Sequence, residues 1–263
     1  MLVIGERINT SRNPIALAVT SKDEAFIQKE AKRQAEAGAD YIEVNAGSFM
    51  DKETEYLKWL IDVVQDVSDL PLCIDSPDYE VIKSVLPLSK KTPMINSISL
   101  EGPKLGEVLP LVLEYGAKVI ALCQSDHAVA NSVELKMEMA GRLVEAVTAA
   151  GVPLGDLFID PLVYPLGTDS RSAAATLEAI AGIMNRFPGV HTICGLSNVS
   201  YGLPNRGLIN ATFLVAGIFR GLDAAILDPT DKRIHGALKA SLMILDRDGF
   251  CTEYLQAFRE GLL

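Results

Sequence analysis

The sequence has no apolar run near the roughly 20 residues that span a bilayer, and it contains no CxxC pair, no HExxH and no G-x-G-x-x-G. The first absence excludes a membrane helix; the others remove the common zinc, zincin and dinucleotide fingerprints. Histidine is scarce, with three residues at 127, 191 and 235, too dispersed for a His-based metal site. Of these, His191 opens an apolar run and reads as structural, while His127, in CQSDHA, could face a site. Four cysteines stand at 73, 123, 194 and 251, the first three inside LCID, ALCQ and TICGL. They are expected to be buried reduced thiols acting as small hydrophobes. Basic charge is also short: 24 Lys and Arg face 34 Asp and Glu, for a net charge of −10. The pairs Lys32-Arg33 and Lys90-Lys91 are read as solvated faces, so neither nucleic acid nor an anionic membrane is an expected partner. In MLVIGERIN, Glu6 and Arg7 fall where a secretory signal needs its apolar region, and a cytoplasmic location is expected.

What is present is a chain of 263 residues with 49% hydrophobic residues, enough for a substantial core. Short apolar runs recur every few tens of residues: LVIGE (2–6), YIEVN (41–45), LCID (72–75), PMINS (93–97), VIALC (119–123), LFID (157–160), TICGLS (192–197) and AAILD (224–228). These are the expected strands. Helical patterns lie between them. From Ser132 to Ala150, Val133, Met137, Ala140, Val144 and Val147 form one stripe. A second helix is expected from a capping box at Ser21 and Glu24 to Gly38, and a last one over Thr252 to Gly261. Gly116, Gly189 and Gly221 repeat the punctuation of a glycine before a strand. Eight nearly continuous apolar strands alternating with helices predict an α/β protein with a parallel sheet, a (β/α)8 TIM barrel, in one domain over 1–263.

Reacting groups in such a barrel sit where strands end. The closing residues are Glu6, Asn45, Asp75, Asn96 with Ser97, Gln124, Asp160, Ser197 with Asn198, and Asp228. No lysine ends a strand, which counts against Schiff-base chemistry, and no Gly-rich anion cradle is evident. Acids and amides suit a neutral heterocycle rich in donors and acceptors. A carboxylate can accept two parallel hydrogen bonds from adjacent N–H groups, such as the 2-amino group and N3–H of a pterin, while Asn both donates and accepts. Asp and Asn also cap helices, and at any one position the two readings stand level. Asp75, Asn96, Asp160 and Asn198 taken together favour a site.

Five segments carry a resemblance: IGERIN (4–9), LCIDS (72–76), INS (95–97), IDPL (159–162) and GLSNVSYGLPNRGLIN (195–210). Over essentially its whole length the chain resembles methyltetrahydrofolate:corrinoid protein methyltransferases and the folate domain of cobalamin-dependent methionine synthase, members of the pterin-binding barrel family. SNVSYGLPNR is the specific part; IDS or INS alone is weak. The resemblance implies that Asp160 grips the pterin N3 and 2-amino edge, that Asn96 and Asp75 complete the pterin site, and that Asn198 reaches N5. It further implies that Gly195, Ser197 and Arg206 shape the pocket. Dihydropteroate synthase shares the barrel and the Asp/Asn set, but GERINTSRNP lacks its Gly-rich diphosphate loop. A folate-binding protein without turnover is the other alternative.

The implied reaction moves a methyl group between N5 of tetrahydrofolate and the cobalt of a corrinoid, in a direction the sequence leaves open. When 5-methyltetrahydrofolate is the donor, N5 must gain positive character before it can leave. Asn198 cannot titrate, but it can hold a hydrogen bond that strengthens as charge changes at N5, with the proton from solvent or an Asp75-linked network. A cobalamin-binding D-x-H-x-x-G is missing, since Ser125, Gly189 and Arg233 stand two before the histidines. Cobalamin is therefore expected on a separate corrinoid protein, and a homodimer is expected by family analogy.

Overall fold

The computed structural model describes residues 1–126 and 129–263; the expectation for His127 lies outside the described residues. Among these, the strands are β1 (Leu2–Asn9), β2 (Tyr41–Asn45), β3 (Leu72–Asp75), β4 (Met94–Leu100), β5 (Lys118–Ser125), β6 (Leu157–Asp160), β7 (His191–Thr192) and β8 (Ala224–Leu227). They form one parallel sheet in the order β7-β6-β5-β4-β3-β2-β1-β8. Its two edges meet through a Gly195 to Ile226 bridge, where the Ile226 N–H donates to the Cys194 carbonyl at 3.0 Å. The sheet thereby rolls into the expected barrel.

The helices are α1 (Asn13–Ser21), α2 (Glu24–Glu36), α3 (Glu53–Gln65), α4 (Tyr79–Val85), α5 (Lys104–Tyr115), α6 (Val133–Ala149), α7 (Ser172–Arg186), α8 (Arg206–Arg220), α9 (Lys232–Ile244) and α10 (Thr252–Arg259). Apolar side chains fill two spaces. The larger core lies between sheet and helices, with Ile42, Leu57, Val64, Val119 and Leu143 fully buried. A smaller cluster of Ile4, Tyr41, Cys73, Met94, Ile120, Phe158, Ile193, Ala224 and Ile226 plugs the barrel itself. Gly116 (φ 57) and Gly221 (φ 105) take the left-handed cap that ends α5 and α8, a conformation with little steric penalty only for glycine.

Three expectations need correction. The seventh strand is far shorter than 192–197: regular strand pairing stops at Thr192, leaving the isolated Gly195 bridge, and residues Leu196–Ser200 form a 3-10 turn that swings Ser197 and Asn198 over the barrel end. Ser21 caps nothing. It ends α1, its hydroxyl donating back to Leu17 O at 2.9 Å, and after Lys22 turns the chain (φ 55) Asp23 caps α2 by accepting from Phe26 N at 3.1 Å. In α6 the buried face is Lys136, Met139, Ala140, Leu143 and Val147, so the stripe is rotated from the apolar pattern and includes a lysine. Ser132 caps this helix through Leu135 N at 3.3 Å.

Candidate functional site

Side chains alternate between the two faces of a strand, so the residue two after an inward-facing one also faces inward. Applied to the barrel plug, this rule generates the site. Two positions beyond Ile4, Tyr41, Cys73, Met94, Ile120, Phe158, Ile193 and Ala224 stand Glu6, Glu43, Asp75, Asn96, Leu122, Asp160, Gly195 and Ile226, and all eight line one cavity of about 310 Å³. Register sets Asp75 level with Asn96 and Leu122 level with Asp160, while Glu43 lies level with Cys73 and Asn96 with Ile120, so the ring steps by two residues between these strands as a tilted barrel requires. Asn9, Ser11, Arg12, Leu162, Ser197 and Asn198 complete the lining from the loops.

Asp75, Asn96, Asp160, Gly195, Ser197 and Asn198 thus surround a single space, as the sequence reading requires. Asp75 accepts from Asn45 Nδ2 at 2.8 Å, and Asp160 Oδ1 accepts from Leu162 N at 2.7 Å. Asn96 is buried and Asn198 is exposed at the rim. Gly195 makes room for Asn198, because a Cβ there would come within 3.1 Å of its Nδ2. Ser197 Oγ donates to Glu6 at 3.0 Å. Arg206 does not line the cavity. Its exposed guanidinium turns back on the 3-10 turn, with Nη2 on Ser197 O at 2.6 Å and Nε on Ser200 Oγ at 3.0 Å, so it supports the wall from outside.

Among the other strand-end residues, Gln124 donates to Glu101 at 2.7 Å, and Asp228 is taken up by Arg7 (2.6 Å) and the Thr230 hydroxyl (2.7 Å). His191 is structural as expected, 2.6 Å from Asp223 and stacked on Phe158. Cys73, Cys123 and Cys194 are buried free thiols, and burial pushes each of them up.

The sequence reading missed Glu43 as a site residue. It sits in mid-strand where only parity from Tyr41 could have exposed it. It is buried, with Asn9 Nδ2 at 3.4 Å. Burial, together with the nearby charges of Asp75 and Glu6, pushes its carboxyl well above the usual range. Burial also raises Glu6 despite Arg12 and Ser197, and lifts Asp75 and Asp160 to about 6. The cavity is therefore a set of acids that hold protons unusually tightly, with amide donors and acceptors between them. It can match the edge of a polar ring and take up or release a proton near neutrality.

Residues 5–228 match the model of the pterin-binding enzymes, and the chain belongs to that family. Within it, the chain is 40% identical over 263 residues to the methylcorrinoid:tetrahydrofolate methyltransferase of Eubacterium limosum, covering 99% of this chain and 97% of that one. It is 32% identical over 240 residues to methionine synthase of Mycobacterium leprae, covering 86% of this chain but 20% of that protein. Among solved structures, dihydropteroate synthase of Xanthomonas albilineans with 4-aminobenzoic acid superposes with a TM-score of 0.71 at 20% identity, covering 94% of this chain and 93% of that one. That likeness supports the barrel fold.

Proposed function

We propose that this protein, as a single pterin-binding barrel, is a methyltransferase that moves a methyl group between N5 of tetrahydrofolate and the cobalt of a corrinoid carried by a separate protein. The observation that carries the reading is the meeting of Asp75, Asn96, Asp160 and Asn198 in one cavity, joined to a relative of that activity aligned over nearly the whole chain. Asp160 takes the pterin N3–H and 2-amino pair, Asn96 and Asp75 complete the ring site, and Gly195 and Ser197 form its wall. Such a site rejects rings whose donors and acceptors fall elsewhere, because its buried polar groups would be left unpaired.

Transfer to folate forms a bond from the N5 lone pair to the methyl carbon as the cobalt–carbon bond breaks. Cobalt keeps that electron pair, and the N5 proton departs. In the opposite direction Co(I) attacks the methyl carbon and N5 leaves with the electrons, for which it must first gain positive character. One site lowers both barriers. Asn198 supplies an amide dipole to N5 in either direction, and the raised Asp75, which lines the cavity, exchanges the proton with solvent there. Asn198 stands exposed at the rim, so a corrinoid held by a partner can approach the same nitrogen.

Protein mixed with tetrahydrofolate and methylcobalamin labelled in the methyl group is expected to yield labelled 5-methyltetrahydrofolate. Folate binding with no label transfer in either direction would instead define a binding protein. No described helix is long and apolar enough to cross a membrane, and a cytoplasmic location accompanies this reading. So does a homodimer: Ile244, Phe250, Leu255 and Phe258 stand exposed on and beside α9 and α10, an apolar surface a second copy would cover. Sedimentation velocity reads this directly, a monomer at micromolar concentration contradicting it.

A further inference from the structure

Among the described residues, Lys136 of α6 is the largest fully buried side chain, and it takes no part in the chemistry above. Its position is unfavourable on two counts. An ammonium loses its hydration when buried, and this one sits in the first turn of α6, where the helix dipole repels a cation. What offsets these costs lies across the helix, at the end of β6. Nζ donates to the carbonyls of Pro161 and Leu162, both at 2.6 Å, and lies 5.3 Å from the centre of the Tyr164 ring. Leu162 has a φ of 60, unusual for a branched side chain, and its backbone is held on both sides. Thr176 Oγ1 also donates to its carbonyl at 2.9 Å, while its N–H donates to Asp160 Oδ1 at 2.7 Å.

We infer that Lys136 is a positioning residue for the pterin site, clamping the Pro161-Leu162 backbone so that Asp160 is held in place and ionised for the ring's paired N–H groups. The inference rests on the role of Asp160 proposed above. The clamp acts by geometry, through the Leu162 amide, and by charge, through the buried ammonium beside a buried carboxylate. Other ionisable groups face the pair: Cys123 from β5, Cys194 after β7, and Tyr164 and Asp169 from the loop after β6. The thiols and the phenol are neutral near pH 7. Burial lifts Asp160 to about 6, and the Leu162 amide and the Lys136 charge restrain that rise. Burial also pulls the Lys136 ammonium down, against the charges of Asp160 and Asp169.

The test measures tetrahydrofolate binding against pH for the unaltered protein, Lys136→Met and Asp160→Asn. Lys136→Met keeps the volume and removes the charge. It is expected to weaken binding roughly tenfold at about pH 6 and less than about twofold at about pH 8.5, as the Asp160 titration moves upward by one or two pH units. Lys136→Arg, if it fits, retains the original profile. A loss that is equal at every pH, or an unchanged profile in folded Lys136→Met, would overturn the assignment. Should Lys136→Met not fold, nitrogen-15 resonances of the lysine side chains in the unaltered protein decide: a protonated, slowly exchanging Lys136 ammonium at about pH 7.5 is required, and a neutral amine refutes it. Undiminished binding by Asp160→Asn would refute the role of Asp160 itself, a result separable from either outcome for Lys136.

Discussion

Asn198→Ala is expected to lower methyl transfer roughly 10²–10³-fold while weakening tetrahydrofolate binding by less than about tenfold. The asymmetry follows from where the side chain stands. Asn198 sits on the rim, exposed, and among the described residues its side-chain amide has no hydrogen-bond partner within the protein. Removing it leaves no buried group unsatisfied and breaks no hydrogen bond within the protein, giving up only its packing on Gly195, so the ground state loses one neutral hydrogen bond that water can replace. The transition state loses more. Charge changes at N5 as the methyl group arrives or departs, and an amide already carried to the rim by the 3-10 turn, its Nδ2 packed against Gly195, needs little reorganisation to answer it. Arg206 holds the backbone of that turn through the Ser197 carbonyl at 2.6 Å. Single-turnover rates beside equilibrium binding check the prediction; equal losses in both would make Asn198 an ordinary binding residue.

Much of this arrangement is legible in the sequence alone. The runs at 41–45, 72–75 and 157–160 are strands with the same bounds, because each is a short apolar stretch closed by a polar residue at the point where a parallel strand leaves the sheet. Asp75 and Asp160 were found for that reason. Glu43 was not, since a carboxylate inside a strand looks like a surface residue until the inward parity of Tyr41 is known. Lys136 was hidden in the same way: helical periodicity places apolar residues, and a buried ammonium breaks the pattern it depends on. Arg206 was misplaced because SNVSYGLPNR marks a segment, and proximity in sequence does not say which side chains of a 3-10 turn and the next helix point inward. The shortness of β7 escaped for a related reason. TICGLS carries apolar residues at 193, 194 and 196 with no breaker but Gly195, and only the bridge from Gly195 to Ile226 shows where regular pairing has already ended.

The ligand-free protein is expected to grow more stable, and its affinity for tetrahydrofolate to fall, as pH drops from about 7.5 to about 5. Both trends arise from the same carboxyls. Burial lifts Asp75 and Asp160 from 3.8 to about 6, and it raises Glu6 and Glu43 as well. A raised acid binds its proton more tightly in the folded chain than in the unfolded one. Stability is therefore lost as pH rises from the unfolded value to the folded value, and recovered on the way down. A shift of this size corresponds to at most about 3 kcal/mol for each Asp, less after relaxation and water entry, so a gain of about 2–4 kcal/mol overall is expected. That would raise Tm by about 5–10 °C in a domain of this size. His235 acts in the opposite sense: burial lowers it, so its protonation on acidification favours the unfolded chain, but it is one group against the four cavity acids and Glu53, which burial also raises. Asp228 and Asp248, which are lowered, respond only below this window. Binding requires ionised Asp160 to accept the pterin N–H pair, hence an affinity loss of about tenfold over the same range. Asp75→Asn should stabilise the free protein at about pH 7.5 and flatten the Tm profile, since its amide still presents an oxygen to Asn45 without repelling Glu43. Thermal melts of free protein across this pH range, with and without tetrahydrofolate, decide the matter: a Tm of the free form that falls steadily below about pH 7 would mean that these acids are ionised at little cost, and that the cavity holds no electrostatic strain for a ligand to relieve.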